Sequence, residues 1–234
     1  MKIKPILLFS AFALVGAANA DLLSYYNFND SEVNSAHPDE LFSADGGSLK
    51  SKTTLSTTTP YNFYYTQNGT TTNGVAGEVA GSSFQVQGGP NFSGALTLST
   101  TSNGGTVLSG LNYSFAGLRT SIGFNSYQLA YSVNGSSFTN FGSTFDVNVG
   151  SSPFGFGPTP DPTAIRAFNL SSIGSNIHTV SVRLTYSGAT NPYNSRLFLD
   201  NIKLTGNVQA LPEPSTWAAL GLGSVALLRR RRKA

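Results

Sequence analysis

Few side chains in this 234-residue sequence could do chemistry. Between residues 21 and 210 there are two histidines, His37 and His178, and ten acids: Asp21, Asp30, Glu32, Asp39, Glu40, Asp45, Glu78, Asp146, Asp161 and Asp200. Glycoside hydrolysis needs two carboxylates across a cleft. Most of these acids instead stand beside Gly, Pro or Ser, where short polar side chains cap turns. His178 shares strand parity with Val180, Val182, Leu184 and Tyr186 and reads as a core or strand-end histidine. His37 precedes Pro38-Asp39-Glu40 and reads as a hydrogen-bonded loop residue or, alternatively, a metal ligand. No histidine pair has metal-ligand spacing, and there is no G-x-S-x-G, H-E-x-x-H or phosphate-loop motif. The absence of cysteine excludes a disulfide framework, a thiolate zinc site and a cysteine nucleophile. No residue is therefore assigned a catalytic role, and the expectation is a protein that is not an enzyme.

Two charged residues stand out by position. In Phe198-Leu199-Asp200-Asn201-Ile202-Lys203-Leu204, simple alternation puts Asp200 on the face of Phe198, Ile202 and Leu204. A carboxylate facing a core costs several kcal/mol unless it is paired or metal-bound. Either a bulge turns Asp200 outward, or Arg119 or Arg196 pairs with it, or it helps hold a structural Ca²⁺. In the last case oxygens around Asn27–Glu32, Asp30 among them, would complete the hard ligand set that Ca²⁺ prefers. Arg119 ends a strand ahead of the Gly123 turn; it is read as solvent-facing or Asp-paired, with ligand contact as the alternative.

Positive charge is concentrated at the ends. Lys2 and Lys4 lie in the first twenty residues, and Arg229, Arg230, Arg231, Arg232 and Lys233 close the chain. These are seven of the 14 basic residues; the seven left in the body face ten acids, a net charge of −3 there. A nucleic-acid-binding body needs the opposite balance, so no nucleic-acid partner is expected.

The body must position whatever it carries with strands. It is rich in Ser, Thr, Asn, Gly and aromatic residues and poor in charge, a composition suited to short strands and turns rather than helix surfaces. Strands are predicted at Leu22–Phe28, Tyr61–Tyr65, Ser83–Gln87, Ala95–Thr100, Asn112–Leu118, Tyr127–Val133, Ala167–Leu170, Thr179–Tyr186 and Arg196–Thr205. Ser31–Pro60, with its threonine-rich patch, and Gly150–Pro162 read as irregular. In the strand at Tyr127–Val133, Tyr127, Leu129, Tyr131 and Val133 share one face. Asn134-Gly135 is the favoured two-residue hairpin turn. As the whole loop it would set Tyr131 opposite Phe138 on the buried face. The fold class is all-β: a two-sheet antiparallel β-sandwich of jelly-roll type.

Both ends look like addresses. Lys2 and Lys4, an apolar run from Ile6 to Val15 and the small-x-small site Ala18-Asn19-Ala20 make a secretory signal peptide over 1–20. At the other end, Pro212-Glu213-Pro214 is followed by an apolar stretch from Trp217 to Leu228 and then the arginine run. As a helix, Ser215–Leu228 would be about 21 Å long at ~1.5 Å per residue. That is short of the ~30 Å hydrocarbon core, although snorkelling arginines and an interfacial tryptophan extend its reach. The expected division is signal peptide 1–20, sandwich 21–206, linker 207–214, and membrane helix with basic tail 215–234.

The order Pro-Glu-Pro, short apolar helix, terminal arginines resembles the PEP-CTERM sorting signal of Gram-negative bacteria. That resemblance implies an exosortase as partner, an inner-membrane-anchored precursor cut near Pro212-Glu213-Pro214, and delivery to the cell surface or beyond, where exopolysaccharide is made. The strand pattern of residues 90–206, closing on Leu199-Asp200-Asn201-Ile202, resembles the jelly-roll ectodomains of such proteins, which in turn look like carbohydrate-binding modules. This second resemblance is the source of the calcium expectation, since such modules commonly hold a calcium between their first and last strands. The expected role is structural or adhesive, in association with extracellular polysaccharide. The alternatives are a carbohydrate-binding module with one defined sugar site, weakened because the one tryptophan, Trp217, lies in the tail, and a secreted glycan hydrolase.

Overall fold

The computed structural model describes residues 20–29, 52–57, 63–66, 69–76, 79–150, 156, 160–191 and 194–211, with the backbone alone at 52–57 and 63–66. Twelve strands are found among them. They are β1 (Asp21–Tyr26), β2 (Lys52–Thr57), β3 (Phe63–Thr66), β4 (Ser83–Gln87), β5 (Gly94–Thr101) and β6 (Thr106–Arg119). After these come β7 (Ser126–Val133), β8 (Thr139–Phe145), β9 (Asn148–Val149), β10 (Ile165–Asn169), β11 (Thr179–Ser187) and β12 (Arg196–Ala210). They form two sheets, seven-stranded and five-stranded among the described residues. The five-stranded sheet runs β2-β5-β11-β7-β8. The seven-stranded sheet runs β10-β6-β12-β4-β3, with β1 added to β12 and the short parallel β9 to β6. The protein is a two-sheet antiparallel β-sandwich.

Alternation builds the layer between the sheets. In β11, Val180, Val182, Leu184 and Tyr186 are buried while the residues between them are partly exposed, because successive side chains point to opposite faces of a strand. The register sets Leu184 beside Leu129 of β7 and Leu96 of β5, and the seven-stranded sheet answers with Leu111, Tyr113, Leu199 and Leu204.

Three features differ from the sequence reading. First, β2 occupies part of the threonine-rich stretch read as irregular, pairing Lys52–Thr57 with Leu96–Thr101. β-branched threonine suits a pleated surface, and an edge strand needs little apolar alternation. Second, β12 continues to Ala210, paired with Thr106–Ser109, so Asn207–Ala210 are strand rather than linker. Third, the hairpin register is shifted. Asn134 (φ 50°) and Gly135 (φ 78°) do form the expected tight turn, closed by Ser136 N–H to Val133 O at 2.9 Å. The return strand then takes in an extra residue, and Tyr131 faces Thr139. Tyr131 meets Phe141 edge-on (centroids 6.3 Å) on the core side, and Phe138 goes to the opposite face.

Candidate functional site

The outer faces of the two sheets are finished differently. Over the seven-stranded sheet a second small core forms from Ala116, Leu118, Phe156, Ala164 and Phe198. Phe156, from the proline- and glycine-rich segment read as a long loop, packs here on the sheet. Asp200 is on this side. The bulge expected from the sequence is present: Asn201 adopts φ 49° and the β12–β6 register shifts between Asp200 and Lys203. Asparagine tolerates this left-handed conformation better than most residues. The shift sends Ile202 and Leu204 to the central core and Asp200 away from it.

Asp200 is nevertheless only 1% exposed. Its Oδ2 accepts the Thr70 N–H at 2.7 Å, and its Oδ1 accepts the Asn201 N–H at 2.7 Å. Asn201 Nδ2 donates to the carbonyls of Thr70 and Thr72, and the Tyr25 hydroxyl donates to Asn201 Oδ1. Asn73 Nδ2 reaches Asn201 O at 2.7 Å. The node staples residues 70–73 onto the bulge. Arg119 takes no part in it. Ca²⁺ seeks six to eight oxygens, whereas both carboxylate oxygens here accept amide N–H groups and both nearby carbonyls are engaged. Among the described residues no group of three or more His, Asp or Glu could hold a metal ion. Asp30, the other expected ligand, lies outside the described residues.

Arg119 is Asp-paired. Its Nε and Nη2 grip Asp146 Oδ1 and Oδ2 at 2.8 and 2.7 Å, a bidentate fork that also raises its already high pKa. Arg166 donates to Asp146 O and Asn148 Oδ1, so the two arginines bind β9 and its approach to the sheet edge. His178 is exposed just ahead of β11, a strand-end residue whose backbone N–H donates to Asn134 Oδ1. Burial pushes the Tyr113 and Tyr127 hydroxyl pKa values up and the Lys203 ammonium down.

The outer face of the five-stranded sheet is mostly polar and, among the described residues, partly exposed. β5, β11, β7 and β8 present Thr97, Ser181, Thr185, Gln128 and Asn140 there by strand parity and register. Ser99 and Ser181 share a hydrogen bond of 2.7 Å across the strands, and Thr185 Oγ1 donates to Gln128 O at 3.1 Å. At the centre of β11 stands Arg183, its Cζ 3.9 Å from the centroid of the Phe138 ring. Beside it Ala130 is a 2% exposed floor. Sequence reasoning missed this pair. Local alternation marks Arg183 as outward, but only the one-residue shift in β8 brings Phe138 over to it.

The sites expected in the terminal segments mostly lie outside the described residues: Ala18, Pro212, Glu213, Pro214, Trp217, Leu228 and Arg229–Arg232. Ala20 is described, exposed one residue before β1 begins at Asp21. Among the described residues no helix is long and apolar enough to cross a membrane. The family comparison decides the C-terminal reading. Residues 210–233 match the PEP-CTERM protein-sorting motif. The matched region begins at Ala210, the last residue of β12.

No curated protein matches the chain. Solved structures similar to it include carbohydrate-binding modules. TmCBM61 in complex with beta-1,4-galactotriose aligns at TM-score 0.40 and 12% identity, over 65% of this chain and 88% of that one. The family 11 module from Clostridium thermocellum, in complex with a beta-1,3-1,4-mixed-linked tetrasaccharide, aligns at TM-score 0.29 and 16% identity, over 82% and 99%.

Proposed function

We propose that this chain is an exported surface protein whose tail is read by an exosortase and whose β-sandwich serves a structural or adhesive role with extracellular polysaccharide. The observation that carries the reading is the sorting motif at residues 210–233, whose matched region begins at the last residue of β12. Such a layout delivers the sandwich to the outer side of the membrane from which the motif is processed. The open face of the five-stranded sheet supports the second half of the reading. It offers hydroxyl and amide groups in rows, as glycan hydroxyls would require, and one aromatic ring. A polysaccharide site confined to Arg183 and Phe138 is the narrower version of the same function.

The test is fractionation of cells producing the wild-type chain or a variant with Pro212, Glu213 and Pro214 all replaced by alanine. The wild type should leave the inner membrane in a shortened form, and the variant should remain there at full precursor length. Normal release of the variant would contradict exosortase processing.

A further inference from the structure

We infer that the open sheet face binds an acidic polysaccharide, through a sugar carboxylate seated on Arg183. The inference rests on the polysaccharide reading above and names the class of glycan.

The argument starts from what Arg183 lacks. Arg119 is forked onto Asp146, and Arg166 is held by carbonyls and Asn148. Among the described residues Arg183 makes neither a hydrogen bond nor an ion pair. Its Nε is buried without a hydrogen-bond partner, and its one recorded contact is the Phe138 ring, 3.9 Å from Cζ. The residue as a whole is partly exposed. Stacking fixes the guanidinium plane, and a guanidinium held flat presents a fork that matches a carboxylate bidentately. The acids among the described residues lie elsewhere: Asp146 on Arg119, Asp200 in its buried node, Asp161 capping its own turn, and Asp21 at the start of β1. Among the described residues, then, no acid answers the Arg183 cation on this face.

The surroundings favour a sugar acid over an acidic protein segment. Thr97 and Ala130 flank Arg183 across the sheet, and Ser181 and Thr185 lie two residues away on the same face. Hydroxyls in line with a cation suit an extended chain of hydroxyl-bearing rings carrying carboxylates. A protein partner is anchored by large buried apolar side chains, and among the described residues this face offers only Phe138 beside the small Ala95 and Ala130.

The experiment uses the full chain in detergent. Binding is measured to polygalacturonate, to the same polymer with its carboxyl groups reduced to alcohols, and to inorganic polyphosphate. Wild type should bind polygalacturonate and lose about tenfold or more on carboxyl reduction, the weight of one charge-assisted fork. Arg183→Gln should lose a similar factor while melting within about 2 °C of wild type. Arg183→Lys should recover only part of the binding, and Phe138→Leu should weaken it with the charge intact. Wild type binding the carboxyl-reduced polymer as tightly as polygalacturonate would overturn the acidic class and leave polysaccharide association standing. Polyphosphate bound as tightly as polygalacturonate would overturn the carboxylate assignment in favour of a generic polyanion surface. No binding to any of the glycans would overturn this inference; the processing test on the Pro-Glu-Pro motif stands apart from it.

Discussion

The two outer faces of one sandwich are finished in opposite ways. Over the seven-stranded sheet, residues 70–73, Phe156 and Ala164 are tied down by a buried carboxylate, an asparagine in a left-handed conformation and a five-residue apolar cluster. Over the five-stranded sheet, Arg183 stands on Phe138 among hydroxyls with no acid among the described residues to answer it. The first arrangement supplies stability by removing polar groups and loops from water. The second leaves polar groups in water, where they are available to a partner. A polar side chain's value to the fold is therefore read from how completely its partners are internal, and its value to binding from how completely they are not.

Asp200→Ala should show the largest effect. It leaves the Thr70 and Asn201 amides without their buried acceptor, at a cost of about 3 kcal/mol, which lowers the melting temperature by roughly 10 °C in a domain of this size. Calorimetry showing a wild-type melt would mean that the covered face is held by its apolar cluster alone. Gly135→Val comes next, because a β-branched residue resists the φ of 78° that the turn uses. A loss of about 1–2 kcal/mol in denaturant midpoint analysis is expected, and a neutral result would show that the tight turn is dispensable.

Arg119→Ala should cost only about 0.5–1 kcal/mol, since Asp146 is 44% exposed and water screens the pair. High salt should shrink the difference; a salt-independent penalty would point to packing of the arginine stem.

Tyr113 gives a pH signature. Burial raises its folded pKa above the ordinary value of 10.0, so the folded state holds a proton that the unfolded state releases. Its contribution is complete below pH 10 and declines as pH rises above it. Tyr113→Phe should flatten the fall in melting temperature above pH 10, and an unchanged alkaline slope would shift the assignment to Tyr127. Arg183→Gln should have the smallest effect on stability, within about 0.5 kcal/mol, which is the mark of a residue on the open face.

Much of the sandwich was legible in the sequence because alternation in β7 and β11 is strong and the covered layers repeat it. The bulge at Asp200 was legible for a related reason: a carboxylate in an apolar register signals a broken alternation. β2 was hidden because threonine repeats show no period. Phe138 was assigned to the wrong face because a turn type does not specify how many residues the return strand takes in, and one residue reverses every side chain after it. The Arg183–Phe138 stack depended on that residue, so the candidate site was invisible until the register was known. The sorting motif, by contrast, is written in contiguous residues and needs no fold to be recognised.

Hydrogen–deuterium exchange of the full chain, with and without the exopolysaccharide of the producing cell, tests most directly whether the open face is the working surface. Added protection in β5, β7 and β11, centred on Arg183, with residues 70–73 and 160–166 unchanged, is the predicted result. Protection confined to the covered face, or none on either, would contradict the account.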